Sequence, residues 1–162
     1  MKIIFLGTGE IGLPSLKAIY DSSDHHIISV FTQPDKPFGR KGELKPSEIK
    51  KFAQSKNIPI YQPEKIREQE AIDQLSLGNP DVLVVVAYGQ ILPEAVLRIP
   101  KIACINLHAS LLPLYRGASP IQAAILNGDE QTGLTSMYIA EGLDDGDSVS
   151  YTHLTLPTIY SV

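Results

Sequence analysis

Short apolar runs alternate with amphipathic stretches along most of this chain, and that alternation limits the folds open to it. Residues 2–6 (KIIFL), 27–32 (IISVFT) and 81–87 (DVLVVVA) read as strands covered on both faces. Residues 14–22, 68–77 and 120–127 space their apolar side chains at helical intervals. Ser47 is placed to cap a helix running to about Lys56, Pro93 opens a short helix across 92–97, and Gly128 closes the helix at 120–127. Residues 58–61, 103–108 (ACINLH) and 134–139 (LTSMYI) are the remaining predicted strands. The stretch holding Pro34, Pro37, Gly39 and Gly42 reads as a loop. Strands separated by helices imply an α/β fold with a doubly wound, mainly parallel sheet and helices on both faces. Such sheets bind their ligands beyond the carboxyl ends of the strands.

The length of 162 residues suits one domain with a real core. No apolar run reaches the roughly 18 residues a membrane span needs, and MKIIFLG lacks the features of a signal peptide. A single cysteine, Cys104, forms no internal disulfide, which fits a reducing, cytoplasmic setting. Burial, rather than work as a nucleophile, is its expected fate. The net charge of −4 is unevenly spread. Residues 36–56 hold seven Lys or Arg against two Glu, a local +5, which leaves −9 on the rest. A basic island on an acidic body points to contact with a polyanion, although a solvated loop and helix face would show the same charges.

Gly7-Thr8-Gly9-Glu10-Ile11-Gly12 matches the G-x-G-x-x-G form between a first strand and a helix. A dinucleotide site, and with it an NAD-linked oxidoreductase, is one reading. A turn shaped by packing is the other. The acidic residue expected at the end of the second strand is missing, since that strand closes on Phe31-Thr32-Gln33.

The segment Asn106-Leu107-His108-Ala109-Ser110-Leu111-Leu112-Pro113 carries the chemistry. Asn106 and His108 are two apart on a predicted strand, so their side chains share a face. An amide that stabilises an oxyanion beside an imidazole that exchanges a proton suits acyl transfer. A carboxylate next to the ring would orient it, and Asp144, Asp145 and Asp147 all qualify by spacing. A metal centre is not expected, because the chain lacks a three- or four-ligand spacing.

These residues belong to a longer set: Asn106-x-His108-x-Ser110-Leu-Leu-Pro113, Tyr115-Arg116-Gly117-Ala-Ser-Pro120-Ile121, Thr132-Gly133-x-Thr135 and Leu143-Asp144-x-Gly146-Asp147. The set resembles the 10-formyltetrahydrofolate-dependent formyltransferases over residues 1–147. Thr32-Gln33-Pro34-Asp35-Lys36-Pro37-Phe38-Gly39-Arg40 and the VVVAYGQILP run at 84–93 are similar to the branch whose acceptor is initiator methionyl-tRNA. The resemblance implies a Rossmann-like catalytic domain with Asn106, His108 and Asp144 as its catalytic three. It implies 10-formyltetrahydrofolate as donor, held by Val86-Ala87-Tyr88-Gly89-Gln90-Ile91-Leu92 and Ser110-Leu111-Leu112-Pro113. It also implies tRNA contact through Lys36, Arg40, Lys41 and Lys45, with no metal, membrane or obligate protein partner. Formyl transfer to glycinamide ribonucleotide or a nucleotide sugar, and hydrolysis of formyltetrahydrofolate, are the alternatives within this chemistry.

Residues 148–162 (SVSYTHLTLPTIYSV) contain no Asp, Glu, Lys or Arg. Back-translated, Val149–Thr158 resembles a sequencing adapter of transposon-based libraries. The expectation is that this tail is not native. Residues 1–147 would then be an incomplete catalytic domain, in a chain without the β-rich tRNA-binding domain of the resembled family.

Overall fold

The computed structural model describes residues 1–38, 43–140 and 142–156, in two compact units, Met1–Cys104 and Ile105–Val162. In the first unit β1 (Lys2–Gly7), β2 (His26–Phe31), β5 (Ile60–Tyr61) and β6 (Val82–Val86) run parallel in the order β5-β2-β1-β6. Ile4, Phe5 and Leu6 are wholly buried, as a central parallel strand covered on both faces requires. Each such side chain contributes about 2 kcal/mol by leaving water.

The helices follow their sequence signals. The α1 helix (Leu13–Asp21) carries Pro14 in its first turn and buries Leu16. In α2 (Glu48–Ser55) the Ser47 hydroxyl accepts from the Lys50 amide at 3.1 Å, while Ile49 and Ala53 face the core. The α3 helix (Gln69–Leu77) buries Ala71 and Leu75, and α4 (Glu94–Leu97) follows Pro93. Among the described residues no helix is long and apolar enough to cross a membrane.

The expected loop after β2 is instead an antiparallel ribbon of β3 (Lys36–Phe38) and β4 (Glu43–Lys45). Its prolines and glycines hid the strands. Pro37 is tolerated because a two-stranded ribbon leaves an outer edge that needs no donor. Lys36 and Lys45 are register partners. The expected tRNA contacts Arg40 and Lys41 lie outside the described residues.

A polar network anchors the start of the ribbon. Lys50 Nζ donates to Asp35 Oδ2 at 2.6 Å and to Gln62 Oε1 at 2.7 Å. Gln62 Nε2 donates to Gln33 O at 2.8 Å and to Asp35 Oδ1 at 3.0 Å. The hydrogen bonds from Lys50, then Gln62, hold the Asp35 carboxyl below its ordinary value of 3.8. A carboxyl depressed on folding adds stability above its unfolded value and loses it as pH falls through the folded one. Asp35→Asn is therefore expected to cost about 1 kcal/mol at pH 7 and less at pH 2. Urea midpoints at the two pH values check this, and an equal loss at both would contradict it.

The second unit holds most of β7 (Ala103–His108), with α5 (Pro120–Leu126), β8 (Gln131–Tyr138) and β9 (Ser148–Thr155). Both β7–β8 and β8–β9 pair antiparallel. An apolar run shows that a strand is buried, not which way it runs, so this reversal was not legible in a chain expected to pair mainly in parallel. The tail segment forms β9 on β8, with all eight of its side chains exposed.

The glycine-rich turn takes its form from packing. A Cβ on Gly7 would lie 2.6 Å from the Phe5 ring and 3.0 Å from Val86 O, and one on Gly12 would lie 3.3 Å from Val86 Cβ. The Thr8 and Gly9 amides, which a pyrophosphate would need, donate to Ala87 O at 3.2 and 3.3 Å.

Candidate active site

The carboxyl end of β7 sets the site within the second unit. Asn106 and His108 pair with Met137 and Thr135 of β8 and, two apart, share one face. His108 is buried, 6% exposed, and Asn106 is half-buried.

Asp144 reaches both. Asn106 Nδ2 donates to Asp144 Oδ1 at 3.4 Å, and His108 Nδ1 lies 3.5 Å from Asp144 Oδ2. Asp144 has a left-handed backbone, φ 47°, in the turn that returns the chain to the strands. Of the three acids that spacing left open, Asp144 is the one whose carboxylate meets the amide and the imidazole. The distances are long for hydrogen bonds, as is common before a substrate tightens a site.

Two backbone groups complete the arrangement. His108 Nε2 lies 2.9 Å from Tyr115 O, and Gly117 N donates to Asp144 Oδ2 at 2.8 Å. A carbonyl only accepts, so Nε2 carries the proton and Nδ1 is the ring atom that faces the carboxylate. Sequence reasoning gave these backbone groups no role. The Tyr115-Arg116-Gly117 motif was visible, but a main-chain contact leaves no residue-type signature beyond the glycine.

The residues expected to hold a folate are placed as follows. Ser110 is wholly buried and its hydroxyl donates to Leu114 O at 2.6 Å. The loop it begins is seated by β8. Thr135 Oγ1 donates to Ser110 O at 2.7 Å and accepts from Leu112 N at 3.2 Å. Leu111 packs against Gly133. The Leu112–Pro113 peptide is cis, and Pro113 is exposed.

In the first unit Val86 and Tyr88 are buried, and burial pushes the Tyr88 phenol up to about 12. Ala87 and Gly89 hold left-handed backbone, φ 47° and 87°, and are exposed. The Tyr88 carbonyl accepts from Thr8 Oγ1 at 3.0 Å. The Gln90 side chain bonds to the preceding backbone: its Oε1 accepts from Ile66 N at 2.6 Å and its Nε2 donates to Glu64 O at 3.1 Å. Ile91 is 86% exposed, an unusual state for a large apolar side chain, and Leu92 is half-buried.

Burial also pushes the Cys104 thiol up to about 12, and its Sγ donates to Leu97 O at 3.5 Å. That is the setting of an inert core cysteine. Among the described residues no group of three or more His, Cys, Asp or Glu side chains could hold a metal ion.

A family model described as formyl transferase matches residues 1–156. The chain is 54% identical over 156 residues to a methionyl-tRNA formyltransferase of Clostridioides difficile, covering 96% of this chain and 50% of that protein. It is also 54% identical over 146 residues to one from Legionella pneumophila (strain Paris), covering 90% of this chain and 46% of that protein. The chain thus spans about half the length of these curated relatives. Its fold is similar to that of a phosphoribosylglycinamide formyltransferase from Bacillus halodurans, with a TM-score of 0.80, 19% identity and coverage of 99% and 83% of the two chains. With the family model matching nearly the whole sequence, the chain belongs to the formyl transferase family.

Proposed function

We propose that this chain carries the formyl-transferring site of a methionyl-tRNA formyltransferase, moving a formyl group from 10-formyltetrahydrofolate to the α-amino group of initiator methionyl-tRNA. The observation that carries the reading is the Asp144 carboxylate set against both the Asn106 amide and the His108 ring. The methionyl-tRNA formyltransferases it resembles at 54% identity support the choice of acceptor.

In this reading the amine attacks the formyl carbon. The new C–N bond forms first and leaves a tetrahedral oxyanion, whose collapse then breaks the bond from that carbon to the folate nitrogen. Asn106 Nδ2 donates to the oxygen that gains charge between the two events, and the His108 ring, charged once Nδ1 has taken the amine's proton, stabilises that oxygen electrostatically. The proton leaving the amine reaches the departing folate nitrogen by way of His108 Nδ1 or a water beside it. Asp144 stabilises the ring while it is charged and keeps it oriented. The seated loop Ser110-Leu111-Leu112-Pro113 is proposed to bind the folate. By the resemblance, the Val86-to-Leu92 segment is proposed as a folate-binding stretch too.

The β3–β4 ribbon is proposed to meet the tRNA. Lys36 and Lys45 stand opposite each other at its base, which puts two cations on one stretch of the ribbon for phosphates to meet. Arg40→Ala is expected to raise the KM for tRNA about tenfold and leave the KM for the folate within twofold. Equal losses on both substrates would contradict the assignment. Product analysis with and without charged initiator tRNA tests the function itself. Formylmethionyl-tRNA formed only in its presence supports the reading, whereas formate released without it would favour a hydrolase.

Residues 148–162 are proposed to be non-native. Their lack of charge, the adapter resemblance and a strand with every side chain exposed support this. Sequencing the locus from independently prepared DNA decides it. A genomic frame that reads through VSYTHLT after Asp147 overturns the proposal.

A further inference from the structure

The turn that follows the Ser110–Pro113 loop touches both titratable partners of the candidate site, and it does so through its backbone. Tyr115 O faces His108 Nε2 and Gly117 N holds Asp144 Oδ2. Tyr115 and Gly117 both have left-handed backbone, φ 57° and 103°. Glycine adopts that conformation freely. A tyrosine keeps it only where its surroundings over-determine it.

Those surroundings lie at the end of α5. The Tyr115 hydroxyl donates to Asp129 Oδ2 at 2.6 Å and accepts from Asn127 Nδ2 at 2.9 Å. Asn127 and Asp129 flank Gly128, φ 71°, and their amides return to Ala123 O and Ala124 O at 3.0 and 3.1 Å. The phenol is thus fixed by a closed helix end. The Asp129 carboxylate beside it also holds the phenol above its ordinary value, so it remains a donor. No step of the proposed reaction uses this hydroxyl.

We propose that Tyr115 is a positioning residue for His108: its phenol, clamped by Asp129 and Asn127, places a main-chain carbonyl on Nε2 and so leaves Nδ1 as the ring nitrogen that exchanges the proton beside Asp144. The clamp selects the tautomer. A neutral ring with hydrogen on Nε2 presents a lone pair at Nδ1, and the proton that arrives there meets a carboxylate 3.5 Å away. Without the clamp the ring is free to carry its hydrogen on either nitrogen, and only part of the population is ready to accept. The consequence for turnover rests on the formyl-transfer reading, but the tautomer itself does not.

The test is long-range proton–nitrogen NMR on the chain labelled at histidine, at a pH where the ring is neutral. The unsubstituted chain is expected to show His108 in the Nε2–H form with slow exchange of that proton. Tyr115→Phe, which keeps the ring and deletes the hydroxyl, is expected to show both tautomers and about tenfold faster exchange. Asp129→Ala should do the same, whereas Asp129→Asn retains an acceptor and should restore the Nε2–H form. In turnover, Tyr115→Phe should lower kcat about tenfold and leave the KM for the folate unchanged. An unaltered tautomer and exchange rate in both Tyr115→Phe and Asp129→Ala overturn the proposal. If Tyr115→Phe does not fold, the two Asp129 variants decide alone. The two readings also fail separately. Full activity in His108→Ala removes the catalytic role whatever the NMR shows, while an inactive His108→Ala with unperturbed clamp variants removes only the positioning role.

Discussion

Replacing His108 by alanine is expected to lower formyl transfer about 10³-fold, with the chain still folded. The ring shares a face with Asn106 and is the group there that can accept a proton and pass it on. Its loss removes the proton route and one oxyanion partner together. Asp144 keeps the Gly117 amide and the Asn106 amide, so its carboxylate is not left bare. The cost to folding should therefore stay near 2 kcal/mol, mostly from the cavity left at a buried site. Single-turnover formylation of initiator methionyl-tRNA and a urea titration measure the two effects. Asn106→Ala should lose about 10²-fold, and the double variant much less than the product of the two, because both serve one oxyanion. Turnover within threefold of normal in His108→Ala would remove the proposed mechanism.

The second large effect is on stability. Gly133→Val is expected to cost about 3 kcal/mol or more, read from the urea midpoint. A Cβ at Gly133 would lie 2.5 Å from Leu111 Cδ2, 3.0 Å from Leu111 Cγ and 2.1 Å from Thr152 O. Real Cβ atoms do not approach so closely, and Gly133 is buried, so the neighbours must move. The Leu111 contact comes from the loop after β7. The Thr152 carbonyl is backbone and the Leu111 methyl is the end of a flexible side chain, so the cost should be smaller, yet still measurable, in a chain truncated at Asp147, where Thr152 is gone. The same substitution displaces the loop that Thr135 seats, so folate affinity should fall with stability. A midpoint within error of the parent in both chains would show that this close approach is not maintained in solution.

Much of the fold was legible because burial writes itself into residue type. The KIIFL and VLVVV runs became central parallel strands, and Ser47 capped α2. The spacing of Asn106 and His108 put them on one face, since strand geometry leaves no other outcome. The direction of β8 was not legible, nor was the β3–β4 ribbon, where proline and glycine masked a short pairing. The choice among Asp144, Asp145 and Asp147 depended on one left-handed residue, which no spacing rule predicts. Tyr115 and Gly117 act on the site through main-chain atoms, and the tyrosine gives no sign of a carbonyl's duty. Of the two readings the glycine fingerprint left open, packing is the one that the close approaches favour. Glycine marks close approach, and here what approaches is Phe5 and Val86 of the protein itself.

The outer ribbon of the second unit has a consequence for handling the protein. From Ser148 to Thr155, β9 pairs with β8 along one side and shows eight uncharged side chains to solvent. Native sheets guard such borders with lysine, proline or a bulge, and this one has none of the first two across its length. Concentrated stocks should thicken into strand-on-strand assemblies that bind thioflavin, and a lysine in place of Thr152 should keep them clear without touching the chemistry at the carboxyl end of β7.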